Sequence, residues 1–475
     1  MKKLSNILIL TLLFSLATSA QKTKIAVLKK LDSQSEKYGS IAMQIWNLAE
    51  MGYLEEQSSS LLQETLSNEG FTIKKGVANI PTAFIAEYGS GLPIIAILGE
   101  FDALPGLSQQ AIPEKKSANG DAGHACGHHL FGTASAAAAI SVKQWMQSTK
   151  QKGTIRFYGC PAEEGGGAKV YMAREGLFDD VDIALHWHPS SQNAASAAAA
   201  LANISAKFRF HGVSAHAAGA PEKGRSSLDG VEAMNAMVNM MREHVPQEAR
   251  IHYVITDGGK APNVVPDFAE VYYYSRHNSR DVVRSIFNRI VKAGEGAALG
   301  TGTTMDYEII NGVHELLPNL SLQKLVHDNL SAIGGVTYSA EEKEFAEKIA
   351  LSLGQTKADL DRAVNIQPYK ETAQAYGSTD VGDVSFVVPT VGFGTATWVP
   401  GTSAHSWQAV AAGGTSIGEK GMMVAAKTIT ATVIDLFKNQ ELIVKAKVEF
   451  KNRRGLNFIY KPLLGNRPPA LNYRK

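Results

Sequence analysis

The chain has 475 residues, of which 44% are hydrophobic and 19% are charged, and its formal net charge is +2 at pH 7. This composition is typical of a globular protein, and the length allows two or more domains with a large core. The small net charge gives no global electrostatic reason to expect a nucleic-acid partner, so we expect a small-molecule substrate.

The N-terminus has the layout of a secretory signal. Two lysines follow Met1, an apolar run extends from Leu4 to Leu16, and small residues ending at Ala20 resemble a cleavage site. The apolar run is too short to cross a bilayer comfortably. We therefore predict a signal peptide at residues 1–20 and a mature protein that is exported, periplasmic or secreted, without a stable membrane anchor.

The mature chain is predicted to begin with a helix and a hairpin. Apolar residues have helical spacing from about Ser35 to Asn68, and short strands are predicted at Phe71–Lys75 and Ala83–Tyr88. Buried strands then alternate with helical sequence. The predicted elements are a strand at Pro93–Leu98, an Ala-rich helix at His129–Met146 and strands at Thr154–Gly159 and Val181–Leu185. This alternation predicts an α/β sheet, whose ligands bind beyond the carboxyl ends of the strands.

A different pattern follows and predicts a second domain inserted into the first. Its predicted elements are strands at Ile204–His211, Arg250–Thr256, Ala269–Ser275 and Thr303–Ile310, and helices at Ser226–His244 and Asp281–Ala298. Their order, β-α-β-β-α-β, is that of a ferredoxin-like unit. We place this domain at residues 203–311, between catalytic-domain parts at 21–202 and 312–437.

The second catalytic part and the C-terminus complete the prediction. Charged, helical sequence extends to Lys370, and a late strand is predicted at Phe386–Phe393. The tail after Phe437 carries ten Lys or Arg against two Asp or Glu. We expect this basic tail, residues 438–475, to be a solvated and poorly ordered end.

The most informative stretch extends from Gly123 to His129 and places a thiol and three imidazoles within seven residues. Further donors occur downstream: Glu163, Glu164, His186, His188 and His405. Thiolate, imidazole and carboxylate are ligands for zinc and related divalent ions. A mixed set from distant segments predicts a catalytic metal site.

Several of these donors have local alternatives. Pro161 and three glycines flank Glu163 and Glu164, which favours a loop where both carboxylates turn inward over an acidic pair on the surface. His186 and His188 are two residues apart, so spacing alone permits either or both as ligands.

Cys126 and Cys160 are the only cysteines, and an oxidising compartment would permit a disulfide between them. Cys126 is surrounded by histidines at metal-ligand spacing, whereas Cys160 follows an apolar strand. We therefore predict one metal ligand and one buried packing residue.

A family resemblance extends these predictions. The string from Leu98 to Gln110, the cysteine–histidine loop, Pro262–Val265, Ser378–Ser385 and His405 together resemble the co-catalytic di-metal amidohydrolases and carboxypeptidases. Among these aminoacylase-like metallopeptidases, the chain is most similar to the branch that contains the aminobenzoyl-glutamate hydrolases. The resemblance implies a mixed-sheet hydrolase domain with an inserted ferredoxin-like domain that forms a lid and a dimer interface.

The resemblance also implies roles for individual residues. The implied ligands of two divalent ions, zinc or manganese, are Cys126, His128, Glu164, His188 and His405. Cys126 stands where other branches have a bridging carboxylate, and His188 is preferred over His186 because the family's ligand precedes a proline. The implied catalytic residues are Glu163, as base and then acid, and His216, as oxyanion stabiliser.

Substrate contacts and partners follow from the same resemblance. Asn263 and Arg276 are expected to contact the substrate's amide or carboxylate. A homodimer is implied, and a second, related subunit stays open. The sequence departs from the family at His129, where relatives carry aspartate or asparagine.

These observations predict a metal-dependent amidohydrolase that cleaves an N-acyl or N-aroyl amino acid. A broader dipeptidase or carboxypeptidase would use the same chemistry. A catalytically silent binding protein would require loss of the base or of the ligands, and all of these residues are present. A zinc nucleobase deaminase is disfavoured because its His-x-Glu and Pro-Cys-x-x-Cys pattern is absent.

Overall fold

A computed structural model describes residues 22–374 and 376–474, so the predicted signal peptide lies outside the described residues. Within the described part, no helix combines the length and apolar character needed to cross a membrane.

The described chain alternates helices and strands, after an initial helical stretch at residues 22–32. The helices are α1 Ser35–Leu48, α2 Glu56–Asn68, α3 His128–Thr149, α4 Ala168–Arg174, α5 Ser227–Met241, α6 Arg280–Thr301, α7 Leu320–Ile333, α8 Ala340–Ser352, α9 Asp361–Val364, α10 Val381–Ser385, α11 Trp407–Gly413, α12 Ser416–Lys438 and α13 Gln440–Arg454. The strands are β1 Thr72–Lys75, β2 Phe84–Ser90, β3 Ile94–Gly99, β4 Gly153–Gly159, β5 Ile183–Leu185, β6 His188–Ser190, β7 Ala198–Ala199, β8 Ala202–His211, β9 Arg250–Asp257, β10 Phe268–His277, β11 Thr304–Val313, β12 Ala373–Gln374, β13 Thr390–Val391 and β14 Gly394–Ala396. Short 3₁₀ turns occur at Val77–Asn79, Pro221–Lys223 and Arg242–His244.

The main sheet of the described residues has six strands in the order β1-β2-β4-β3-β5-β13. Strand β3 is parallel to β4 and to β5, while β1 and β2 form the antiparallel edge. Both faces of the sheet are covered: Ile95 and Ile97 lie in one hydrophobic cluster, and Ala96 and Leu98 lie in another. Burial on both faces explains the continuous apolar run at β3. The predicted α/β class is confirmed.

The predicted helix from Ser35 to Asn68 is interrupted and forms α1 and α2. Ala49 and Tyr53 adopt left-handed backbone conformations between the two helices. The Glu50 carboxylate accepts a hydrogen bond from the Ser58 backbone at 2.8 Å, in the first turn of α2. This contact stabilises the new helix start, because the first N–H groups of a helix lack partners within it.

The inserted unit has the predicted element order, β8-α5-β9-β10-α6-β11. Its strands form an antiparallel sheet in the order β11-β8-β10-β9. The helices cover one face around a hydrophobic cluster of its own, which contains Phe208, Phe210, Tyr273 and Ile286. This unit therefore packs as a second domain.

The predicted strand at Phe386–Phe393 is confirmed only at Thr390–Val391. The segment begins at the end of α10, and the next strand, β13, contains only Thr390 and Val391. The N–H of Phe386 donates to the Asp383 carbonyl at 3.2 Å and that of Val388 to the Val384 carbonyl at 3.0 Å, so the first three residues continue the helical turn. Pairing with β5 begins at Pro389, whose carbonyl accepts a hydrogen bond from Ala184 at 2.9 Å.

The prediction of a solvated, poorly ordered C-terminal tail is wrong. Ile443, Ala446 and Phe450 of α13 are buried. Residues 455–474, which we name the C-terminal arm, continue across the surface, and Leu463 and Leu464 of the arm are buried. Isolated apolar anchors therefore attach this basic segment to the fold.

Candidate metal centre

The candidate centre lies at the carboxyl ends of three neighbouring strands. Glu100 and Asp102 follow β3, Glu163 and Glu164 follow β4, and His188 follows β5. The parallel arrangement of β4, β3 and β5 brings these ends to one edge of the sheet.

Two groups of possible ligands share one thiol. Cys126, His128 and His188 form the first group, and Cys126, Glu164 and His405 form the second. Within each group the donor atoms lie within 4.8 Å of one another. Cys126 therefore occupies the position from which one ligand can serve two neighbouring ions.

The orientation of His128 is fixed by Asp102. Because a carboxylate only accepts hydrogen bonds, Nδ1 of His128 donates to Oδ1 of Asp102, at 2.8 Å. Nε2 of His128 lies 3.1 Å from Oε2 of Glu100, yet both atoms are buried without a hydrogen bond to the described residues. This tautomer leaves the lone pair of Nε2 available for a cation.

His188 is oriented in the same way. Its Nδ1 donates to the Pro189 carbonyl at 2.7 Å, and its Nε2 lies 3.3 Å from Sγ of Cys126. Gly127 allows the close approach of the two segments, since a Cβ at that position would lie 2.7 Å from Pro189. The tight packing of Gly127 on Pro189 therefore holds Cys126 beside His188.

His405 closes the other side of the centre from a loop. Its backbone has a positive φ of 59°, a sparsely populated conformation for a residue with a side chain. The backbone N–H donates to the Ala125 carbonyl at 2.9 Å, and Nε2 lies 2.8 Å from Oε1 of Glu164. This contact raises the pKa of His405.

Glu163 and Glu164 lie in a turn, as their flanking residues predicted. Ala162 has a positive φ of 53°, and its N–H donates to the buried Glu55 carboxylate at 2.8 Å. Both glutamates line the same cleft. The alternative of an acidic pair on the open surface is therefore wrong.

The two neighbouring glutamates differ in electrostatic environment. Burial, followed by the charges of Glu100 and Glu164, raises the pKa of Glu163 well above its usual value. Burial also opposes ionisation of Glu164, but the contact with His405 and the charge of His128 hold its pKa below the usual value. Glu164 is thus the better anion and Glu163 the better proton carrier.

Sequence reasoning missed the buried charges beneath these residues. Nζ of Lys169 lies 2.7 Å from Oε1 of Glu100 and 2.7 Å from Oδ1 of Asp380. Burial works against the charge of Lys169, but the two carboxylates raise its pKa well above the usual value. Glu100 and Asp102 follow an apolar strand just as Glu163 does, and that signal could have identified them.

Cys160 is separate from the centre, in agreement with its predicted packing role. Its Sγ donates to the Tyr158 carbonyl at 3.3 Å, and burial raises its pKa to about 12. Cys126 and Cys160 are both free thiols.

Two further histidines of the motifs also point elsewhere. His186 is absent from the cleft wall and packs against Gly392, where burial lowers its pKa to about 3. Nε2 of His129 is 3.0 Å from the Gly413 carbonyl, and its ring lies 4.9 Å from that of His124. His129 therefore serves packing, and Asp102 supports His128.

The predicted substrate-contact residues separate into two sets. Arg276 lines the cleft, whereas His216 and Asn263 do not. His216 is largely exposed, and its Nδ1 accepts hydrogen bonds from the backbones of Ala218 and Gly219 at 3.2 and 2.9 Å. A single chain in this conformation does not bring His216 or Asn263 to the candidate ligands.

The donor set fits divalent metal ions. Burial raises the pKa of Cys126, so a thiolate there requires a nearby cation. The Nε2 atom of His128 is aimed at the same point without a hydrogen bond. Thiolate, imidazole and carboxylate together are the ligands expected of a catalytic site for zinc or a related ion.

The centre opens into a cleft of about 1110 Å³ between the two domains. One wall contains Cys126, Glu163, Glu164, His188 and His405, and the other contains residues of β8, β10 and β11. This volume suits a small organic substrate rather than a folded polymer.

Comparisons with known proteins agree with this geometry. Residues 201–299 match the peptidase dimerisation domain of the M20 group. The chain is 40% identical over 469 residues to a p-aminobenzoyl-glutamate hydrolase subunit of Escherichia coli, covering 93% of this chain and 97% of that protein. It is 27% identical to the Xaa-Arg dipeptidase of Mus musculus, covering 92% and 94% of the two chains.

A solved structure gives the same fold at lower identity. A dinuclear metal-binding peptidase of the M20 family from Bacillus subtilis superposes with a TM-score of 0.58 and 16% identity. The match covers 86% of this chain and 99% of that chain.

Proposed function

The chain belongs to the M20 family of metal-dependent peptide and amide hydrolases, and from that premise we propose that it cleaves the amide bond of an N-acyl or N-aroyl amino acid. The proposal is carried by the convergence of Cys126, His128, His188, Glu164 and His405 beside Glu163 in a cleft of small-molecule size. The p-aminobenzoyl-glutamate of the similar E. coli hydrolase is a substrate of this class.

We propose that Cys126, His128, Glu164, His188 and His405 hold two divalent ions, either zinc or manganese. Thiolate and imidazole favour zinc, and carboxylates also suit manganese, so the donor set is compatible with both. When bound, such ions would supply Lewis-acid activation of water and of the scissile carbonyl.

Glu163 is proposed as the proton carrier. An amide does not react with neutral water, so a base must take a proton from the attacking water and an acid must protonate the leaving amine. Glu163 belongs to neither ligand group that contains Cys126, and it forms a third group with Glu100 and His128, whose donor atoms lie within 4.8 Å of one another. Its raised pKa, caused by burial and neighbouring carboxylates, makes it a stronger base toward that water than an ordinary glutamate.

We propose a homodimer formed through the inserted domain. Strand β9 is an edge of the inserted sheet, and Tyr253, Val254 and Ile255 on it are exposed. A dimer, or a movement of this domain, would also allow His216 and Asn263 to reach an active site. Light scattering should give twice the chain mass, and Val254→Lys should yield monomers; a monomeric wild type would contradict this proposal.

Export is also proposed, from the composition of residues 1–20. Expression of the full chain in a host with a secretory pathway should yield mature protein beginning at Gln21. N-terminal sequencing of the protein outside the cytoplasm checks this, and an intact Met1 in all fractions would contradict it.

The central test is hydrolysis of a substrate panel by the purified mature protein. The panel contains p-aminobenzoyl-glutamate, aliphatic N-acyl amino acids and dipeptides, each assayed with chelator and then with added zinc or manganese. We expect chelator-sensitive release of an amino acid from acylated or aroylated substrates. Faster turnover of dipeptides would favour a broader dipeptidase, while metal binding without turnover would indicate a silent binding protein or the need for a second, related subunit.

A further inference from the structure

The C-terminal arm forms part of the wall of the cleft. The hydroxyl of Tyr473 donates to the Glu164 carbonyl at 3.1 Å, and Nη2 of Arg474 donates to the same carbonyl at 2.7 Å. The guanidinium of Arg474 also lies 4.9 Å from the centre of the Tyr473 ring. Arg474 is therefore adjacent to a proposed metal ligand, although it is distant from it in sequence.

Several contacts hold the arm in this position. Arg467 donates to the Ile310 carbonyl at 3.0 Å, and Arg174 donates to the Arg467 carbonyl at 2.8 Å. The Tyr473 ring packs edge-on against Tyr53, with 5.6 Å between the ring centres. Because these contacts fix the arm before any ligand binds, Arg474 is preorganised at the cleft.

The positive charges of the cleft differ in whether they are neutralised. The Lys and Arg side chains that line it are Lys207, Arg209, Arg276, Arg467 and Arg474. Glu270 pairs with the first two, and Glu308 pairs with Arg467. Most of this positive charge is therefore already neutralised by carboxylates of the protein itself.

Arg276 and Arg474 are different. Among the residues that the structure describes, neither forms an ion pair with a carboxylate, and Nε of each is buried without a hydrogen bond. Each guanidinium instead lies over a tyrosine, Arg276 at 5.3 Å from the Tyr274 ring. A buried N–H without an acceptor is costly, so neither guanidinium, each at the wall of the cleft, is fully satisfied by the protein itself.

We propose that Arg474 is a specificity-determining residue that binds one carboxylate of the substrate, while Arg276 binds a second. This inference rests on the proposed amidohydrolase function and narrows its substrate class to amides of dicarboxylic amino acids. A guanidinium has five N–H donors in a planar fork that matches two carboxylate oxygens. The bond to the Glu164 carbonyl uses Nη2 and leaves the donors of Nη1 for the substrate.

A purely structural role for Arg474 predicts a different result. If Arg474 only held the arm against the Glu164 carbonyl, its removal would affect every substrate alike. Tyr473 donates to that same carbonyl and would remain in place. Discrimination between substrates therefore separates the two roles.

The test uses three matched substrates with the metal-loaded protein: N-benzoyl-glutamate, N-benzoyl-glutamine and N-benzoyl-isoglutamine. The two amides each lack one carboxylate at nearly constant shape. Arg474→Gln is compared with wild type, with Arg474→Lys, and with Lys461→Gln, which removes an exposed charge from the same arm. Values of kcat/KM are measured, and for any amide that is not turned over, its inhibition constant replaces kcat/KM.

We expect Arg474→Gln to lower kcat/KM for N-benzoyl-glutamate by about 10- to 100-fold. For one of the two amides the loss should be under about threefold, because the carboxylate that Arg474 would bind is already absent. Arg474→Lys should retain part of the discrimination, and Lys461→Gln should match wild type. Metal content and thermal unfolding of each variant establish that it is folded.

Equal losses for all three substrates, or no loss for any, would overturn the assignment of Arg474. Failure of the proposed function gives another result: wild type would then hydrolyse none of the three. In that case the dissociation constants of the three compounds, measured by titration calorimetry with wild type and Arg474→Gln, still report whether Arg474 distinguishes two carboxylates from one.

Discussion

Replacing Asp102 by asparagine should weaken metal binding. The carboxylate accepts two hydrogen bonds, from Nδ1 of His128 at 2.8 Å and from the Glu164 backbone at 2.9 Å. An asparagine of the same shape has one acceptor oxygen, so its NH₂ group must face one of these two N–H groups. One proposed ligand would then be misoriented or held in the wrong tautomer.

The size of the effect follows from those two contacts. Loss of the hydrogen-bond partner of a ligand typically lowers metal affinity by about 10- to 100-fold, which corresponds to about 1.4 to 2.8 kcal/mol. Loss of one charge-assisted hydrogen bond is worth a similar ~1.5 to 3 kcal/mol. The expected affinity of Asp102→Asn for zinc is therefore about 10- to 100-fold below that of wild type.

Competition between the protein and a fluorescent zinc chelator at fixed pH measures this change. Asp121→Asn is the matched control, because the exposed Asp121 accepts a backbone N–H from Gly106 at 3.1 Å away from the ligand groups. The control should bind zinc like wild type. A zinc affinity for Asp102→Asn within twofold of wild type would refute the role assigned to this carboxylate.

Three further outcomes are expected. Glu163→Gln should lower kcat by at least about 100-fold with near wild-type metal content, whereas His128→Ala should lose both; full activity of the Glu163 variant would contradict its role. Burial raises the pKa of Asp383 to about 7, so the folded protein retains a proton that the unfolded chain releases above about pH 4, and stability should fall from about pH 4 to 7 by up to ~4 kcal/mol. Urea unfolding at several pH values, with chelator present, measures this dependence. In Asp383→Asn the slope of the unfolding free energy against pH should be smaller by about one proton, and an unchanged slope would refute the role given to Asp383. Lys169→Met leaves two buried carboxylates unpaired and should cost about 3 to 5 kcal/mol; an unchanged melting temperature would show that the pairing is dispensable.

The sequence predicted most of the central architecture because buried strands and helices leave a direct signal in the order of apolar residues along the chain. Strand β3 is a continuous apolar run, and the polar residues after it and after β4 meet at one edge of the sheet. The inserted domain alternates clear strands and amphipathic helices. The late strand is shorter than predicted because Phe386 and Val388 donate to carbonyls of the preceding helical turn, and an apolar run alone does not distinguish a buried turn from a buried strand.

The types of ligand in the candidate centre were predictable from the sequence. The residues that orient those ligands were less so. Cys126 and His128 are marked by their rarity and spacing. The pairing of Asp102 with His128, or of Lys169 with Asp380, depends on contacts between distant segments. The C-terminal arm was missed for a related reason: single residues and backbone carbonyls hold it in place, without a periodic apolar face.

The arm also constrains how the two domains can move. Leu463 is buried in the core of the inserted domain, and its neighbour Leu464 is buried in the core of the catalytic domain. Consecutive Cα atoms are about 3.8 Å apart and cannot separate further. Any opening of the cleft must therefore pivot at this dipeptide or withdraw a leucine from its core, which costs about 1.5 to 3 kcal/mol. The Leu463–Leu464 dipeptide thus limits how far the cleft can open to admit a substrate.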